Sequence, residues 1–258
     1  MTVTNVDVAR LFFNIAHDLM TQPDLAATHE RIVSMACKVT GCESASIFKA
    51  SSPETWSVSA GTDADLAARL WQIMTVTSEG PALQAQATGQ GVSSQSLEKE
   101  SRWPEYAQRM VSVTPIRSEV AYPLRAGGHD FGVLVLQATA AGYFNEDECA
   151  IAELFAGHAT MALMYASERN KTANLEIALT SNREIGKAIG ILVATHRITE
   201  QHAFDALRAE SQHAHRKLRD VANDVVLTGE LPSLELYLRR KPSTAGKASP
   251  APRRLVVV

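Results

Sequence analysis

At 258 residues, 45% hydrophobic and 21% charged, the chain is long enough for two modest domains and too apolar for a disordered one. Its net charge of −3 conceals a division: residues 171–258 hold 14 Lys/Arg against 9 Asp/Glu, whereas residues 1–170 hold 11 against 19, which points to different partners for the two halves. No apolar run approaches the roughly 20 residues of a membrane helix, the opening MTVTNVDVARLFF lacks the pattern of a signal peptide, and Cys37, Cys42 and Cys149 are too few and scattered for a disulfide framework or a zinc site. The expectation is a reduced, cytoplasmic protein with no membrane partner, metal or cofactor.

Taken in order, Val6–Met20 has helical apolar spacing and is broken by QPD. Leu25–Thr40 is a second amphipathic helix, ended by Gly41. ESASIFKA and WSVSA read as strands, the second closed by Gly61, and a helix follows over Asp63–Met74. A short helix starts at Pro81 and stops at Gly89, and WPEYAQRMV is helical again. RSEVAYPL and FGVLVLQA are the clearest strands, joined through Gly127–Gly128 as a hairpin.

Asn145 then caps a helix, with Glu148 three residues on as in a capping box. From Glu146 to Ala194 there is no proline. Met161, Tyr165, Glu168, Thr172, Leu175, Leu179 and Asn182 alternate in steps of four and three, the coiled-coil repeat, so the expectation is one long helix paired in parallel with a second copy. Two helices with a break near ERNKTAN are the alternative. Thr199 caps EQHAFDALRAES, and HRKLRDVANDVVL places Leu218, Val221, Ala222 and Val225 on one face before Gly229 and Pro232 end it. LPSLELYL adds a short helical turn, and the Pro/Ser/Ala-rich basic stretch from Lys241 reads as a disordered tail.

Within the long helix, SNREIGKAIGILV holds two glycines four apart, each costing about 1 kcal/mol relative to alanine. On a helical wheel Gly186, Lys187, Gly190 and Ala194 fall near Arg183, and Ile185, Ala188, Ile189, Leu192 and His196 lie opposite. A bare stripe beside two cations admits either another helix or a nucleic-acid loop. Arg216, Arg219 and Asn223 line up on the last amphipathic helix with Lys217 alongside, but Asp220 and Asp224 sit among them, and a solvated salt-bridged face is the plainer account.

Ala178–Val226, ALTSNREIGKAIGILV through RITEQHAFDALRAESQHAHRKLRDVANDVV, strongly resembles the ANTAR domain, a small helical bundle that binds RNA in transcription antitermination. Residues 5–165 resemble a GAF domain in helix–strand order, and the combination is similar to actinobacterial GAF–ANTAR proteins. The resemblance implies an α+β fold: a GAF-like antiparallel sheet flanked by helices over 1–145, a coiled-coil linker helix over 146–180, a three-helix ANTAR bundle over 174–240 and the tail over 241–258. It implies a homodimer that holds paired hairpin loops of a nascent transcript and so prevents a terminator stem from forming, with no catalysis. Arg183 would contact phosphate, and Ala188 and Gly190 would let the loop approach the helix. Lys187 stands where the family usually has glutamine, and Ile189 where it usually has lysine, so one basic contact is missing or moved to Lys187. His215 replaces the usual asparagine, whereas Arg216, Lys217 and Arg219 match. The GAF domain would sense an unidentified small ligand or a regulatory protein, with Phe48, Trp56, Trp71, Tyr122 and Phe131 as pocket candidates, although plain core is the simpler account of each. Two other readings are a GAF sensor with a DNA-binding or protein-interaction end and a GAF-type methionine sulfoxide reductase. The glycine stripe speaks against a DNA-recognition helix, and the absence of an evident electropositive setting for the cysteines speaks against catalysis.

Overall fold

The computed structural model describes residues 5–52 and 55–240. The chain forms two compact units that divide between Thr172 and Ala173. The first holds α1 (Asn5–Met20), α2 (Leu25–Thr40), β1 (Ser44–Ser52), β2 (Thr55–Gly61), α3 (Ala64–Thr77), α4 (Pro81–Thr88), β3 (Val92–Ser94), α5 (Pro104–Val113), β4 (Ser118–Ala126), β5 (His129–Ala138) and the start of α6 (Glu146–His196). The second holds the rest of α6, α7 (Glu200–His213), α8 (Leu218–Thr228) and α9 (Leu234–Arg240).

Local chemistry fixes many of these ends. Asp24 Oδ1 accepts from the Ala27 amide at 2.8 Å and Asp63 Oδ1 from the Leu66 amide at 2.9 Å, each taking up a donor that a helix start leaves unpaired. Asn145 Oδ1 accepts from the amides of Asp147 and Glu148 at 2.9 and 3.2 Å, so the expected cap opens α6. Gly41 ends α2 in the left-handed region with φ of 69°.

The sheet is antiparallel with strand order β2-β1-β5-β4-β3. Alternation divides its side chains between two cores. On one face Ala45, Ile47, Leu134 and Leu136 pack with Ile15 of α1, Ile32 of α2 and Phe155 of α6. On the other, Phe48, Val133 and Val135 pack with Leu70 and Met74 of α3 and Met110 of α5. Val92–Ser94 is a strand that the sequence reading left out; three residues show no measurable alternation, and pairing with β4 is what makes them β.

α6 runs unbroken for 51 residues, so the alternative break near ERNKTAN does not occur. Among the described residues it is the one helix long and apolar enough to cross a membrane by length and composition. However, 44% of its apolar window is buried inside the protein, where Phe155, Ala159 and Leu163 join the sheet core. In the second unit Ala188 and Leu192 of α6 meet Ala203, Ala206 and Leu207 of α7 and Val221, Ala222 and Val225 of α8, and α9 adds Leu234 to this bundle. The tail over 241–258 lies outside the described residues.

Candidate nucleic-acid interface

The stripe that carries Arg183, Gly186, Lys187 and Gly190 faces outward. Among the described residues a Cβ placed on either glycine would meet nothing within 4 Å, so no packing among them explains the cost. The opposite stripe is committed to the bundle, and this corrects one expectation. Ala188 is fully buried among α7 and α8, so it cannot touch a ligand; its small side chain serves close helix packing.

The cations differ in their freedom. Lys187 Nζ lies 2.7 Å from Glu184 Oε1, Arg216 Nη1 lies 2.6 Å from Asp224 Oδ2, and Arg219 Nε lies 3.3 Å from Asp220 Oδ1. Such exposed pairs contribute about 0–1 kcal/mol and open readily for a phosphate. Among the described residues no side chain pairs with Arg183 or Lys217. The acidic partners on α8 make its surface the salt-bridged face that the sequence suggested.

His215 also has a backbone role. It has φ of 51°, in the α7–α8 turn where the Ser211 hydroxyl donates to Arg216 O at 2.6 Å. Asparagine and histidine tolerate this left-handed conformation better than most residues, so the position is held by backbone geometry. His215→Asn should leave thermal stability unchanged, whereas His215→Val should cost about 1–2 kcal/mol, read from the melting temperature.

A groove of about 550 Å³ lies beside the stripe, lined by Ala173, Glu176, Ile177, Thr180, Ser181 and Glu184 of α6 and by Arg219, Asp220 and Asn223 of α8. Sequence reasoning missed it. The helical wheels placed Arg219 and Asn223 on one face of α8 but could not say that this face meets α6. Its lining combines the apolar Ile177 with amide and hydroxyl groups, three carboxylates and one guanidinium.

The five residues expected to line a pocket in the first unit divide between the two sides of the sheet. Phe48 and Trp56 lie in the core under α3–α5, while Tyr122 and Phe131 lie in the core under α1, α2 and α6. Trp71 is 37% exposed, with its indole N–H donating to Trp56 O at 2.7 Å. Tyr122 follows from strand parity, since Val120 and Leu124 share its face. Phe131 is turned over by the register shift of β4 and β5 between Pro123 and Arg125, beside Gly132 with φ of 116°. At Gly132 a Cβ would stand 2.4 Å from Phe48 O, so only glycine fits.

The α3–α5 face instead carries a buried polar row. Ser44, Gln137, Glu119 and Ser94 are paired across four strands. Ser44 Oγ donates to Gln137 Oε1 at 2.8 Å, and Tyr106 Oη donates to Glu119 Oε2 at 2.8 Å. Glu119 Oε1 and Gln137 Nε2 have no hydrogen-bond partner among the described residues. Burial raises the Glu119 carboxyl to about 7, against the opposing hydrogen bond from Tyr106. A glutamate at an inward position of RSEVAYPL was the available signal.

The profile of the GAF domain matches residues 22–164, more than half of the chain, and that of the ANTAR domain matches residues 173–226. No curated protein matches the chain. Among solved structures, the chain is similar to the GAF domain of a phosphoenolpyruvate-protein phosphotransferase from Coxiella burnetii, at 15% identity over 65% of this chain and 99% of that one, with TM-score 0.51. It is also similar to the bacteriophytochrome RpBphP3 of R. palustris, at 12% identity over 72% of this chain and 44% of that one, with TM-score 0.53. Likenesses at such identities show the fold alone.

Proposed function

Because the chain belongs to the GAF domain family and carries an ANTAR domain behind it, we propose that it is a GAF-controlled regulator that binds RNA hairpin loops in nascent transcripts and prevents termination. The observation that carries this reading is the open glycine stripe flanked by Arg183 and Lys187. A looped RNA offers unstacked bases and exposed phosphates, and a helix without side chains at two successive turns lets that backbone come close. Arg183, with no side-chain partner among the described residues, supplies charge for phosphate, and Lys187 can exchange Glu184 for it. The adjoining groove suits a splayed-out base, with Ile177 against its face and Asn223 and Arg219 toward its edge.

Dimerisation belongs to the same reading. Met161, Tyr165, Leu175 and Leu179 of α6 are 46, 48, 60 and 61% exposed, an apolar seam of the kind a second copy covers. Two linked bundles gain effective concentration on a transcript with two loops. A regulator of nascent transcripts works in the cytoplasm, and none of its roles needs a catalytic group.

The test is a mobility shift with paired-hairpin RNA and with duplex DNA of the same sequence. The RNA should shift and the duplex should not. Arg183→Ala should weaken RNA binding by about five- to tenfold with the fold intact, as expected for one lost charge-assisted contact. A shift of duplex DNA alone would overturn the reading, and unchanged affinity would remove Arg183 from the interface.

A further inference from the structure

Cys37 lies in the last turn of α2 and Cys42 just beyond its cap. In a continuing helix, residues five apart point about 140° away from each other. Here the left-handed Gly41, with φ of 69°, turns the chain back and brings the two Sγ atoms to 3.6 Å. Their environments differ. Cys42 is buried, and its thiol points to Ser44 O at 3.3 Å and toward Cys37. Cys37 is half-exposed, with Thr62 Oγ1 4.0 Å from its sulfur.

We propose that Cys37 and Cys42 form a redox-sensitive dithiol that hydroperoxides convert to an intramolecular disulfide. The hydrogen bond from Cys42, with a smaller contribution from Thr62, brings the Cys37 thiol down to about 7, against burial and the charge of Glu43. The same pairing and burial raise Cys42. One sulfur is thus a substantial fraction thiolate at neutral pH, and the other stays protonated beside it.

In the first step the Cys37 thiolate attacks the peroxide. An S–O bond forms, the O–O bond breaks, and the alcohol or water leaves after taking a proton from solvent. The sulfur is oxidised by two electrons and the peroxide is reduced by two. In the second step the Cys42 sulfur attacks the sulfenic sulfur. The S–S bond forms, the S–O bond breaks, and the hydroxyl leaves as water with the Cys42 proton. The sulfurs close from 3.6 Å to the roughly 2.05 Å of a disulfide.

That closure pulls on the α2–β1 junction. Cys42 must give up Ser44 O, and the segment between the cysteines is held by Tyr143, whose hydroxyl donates to Thr40 O at 2.7 Å. A Cβ on Gly41 would stand 2.7 Å from the same hydroxyl oxygen. Tyr143 is two residues before Asn145, the cap of α6. Oxidation therefore acts one hydrogen bond away from the start of the helix that continues into the second unit. Cys149 is an internal control: burial raises its thiol, and its sulfur faces Phe144 O at 3.5 Å.

The experiment exposes the reduced full-length protein to hydrogen peroxide, blocks remaining thiols with iodoacetamide and maps the peptides by mass. The expected result is loss of two hydrogens from the peptide that contains Cys37 and Cys42, with Cys149 alkylated. Cys42→Ser should stop at a sulfenic acid on Cys37 that dimedone traps, and Cys37→Ser should leave Cys42 unreacted. Full alkylation of both cysteines in the wild type at a peroxide dose that oxidises glutathione overturns the proposal. So does a disulfide that joins two copies or involves Cys149.

Discussion

Gly186→Ala and Gly190→Ala together should raise the stability of the α6–α9 bundle by about 2 kcal/mol and lower RNA affinity by at least about tenfold. The two effects have separate causes. Each glycine sits in a helix interior with open space where a Cβ would go, so alanine gains helix propensity and meets no clash. The same methyl groups stand on the stripe beside Arg183 and Lys187, where the proposed loop must come into van der Waals contact with backbone. Thermal denaturation gives the first quantity and RNA titration the second. Stabilised variants that bind RNA as well as the parent would detach the glycines from the interface. Variants that lose self-association in light scattering, with RNA binding by the residual dimer intact, would show that the glycines seat a second copy instead.

Glu119→Gln should stabilise the first unit at pH 8 by roughly 3 kcal/mol and change little at pH 4. The carboxyl titrates near its ordinary 4.5 when unfolded and at about 7 when folded, because burial penalises its charged form. A raised folded value means that stability is fully present below pH 4.5 and is lost as pH climbs through 7. Glutamine removes that loss and keeps an oxygen for the Tyr106 hydroxyl. Its new amide can donate to Gln137 once that side chain turns its oxygen inward. His29 supplies the opposite slope. Burial and Lys49 lower it from 6.5 to about 4, so stability falls as pH drops from 6.5 through 4. With Glu119→Gln the melting temperature should rise from pH 4 to 6.5 and show no decline through pH 8; a decline persisting above pH 6.5 in the variant would place the titrating group elsewhere.

Much of the candidate interface was written in the sequence. The wheel around Arg183 separated the glycines from Ile185 and Leu192 without any coordinates, and the structure gives the same two faces. The same wheel already set Ala188 on the inner face; family resemblance drew it outward, and packing against α7 and α8 shows why it is small. The pocket candidates failed for a different reason. Aromatic type says that a side chain is buried but not on which side of a sheet, and at Phe131 a register shift reverses even the parity rule.

The sequence alone determined most of the helix and strand pattern and the bare basic stripe, because each depends on residue spacing along one element and on the caps and glycines that end it; the short β3 and the choice of one unbroken α6 came with the structure. Only the tertiary structure decided that Cys37 touches Cys42, that Glu119 is sealed beneath Tyr106, and that α8 closes a groove against α6. The first depends on how the left-handed cap at Gly41 turns two side chains five residues apart toward each other, the others on a strand pairing and a helix packing set by groups remote in the chain, and local periodicity carries no information about any of them.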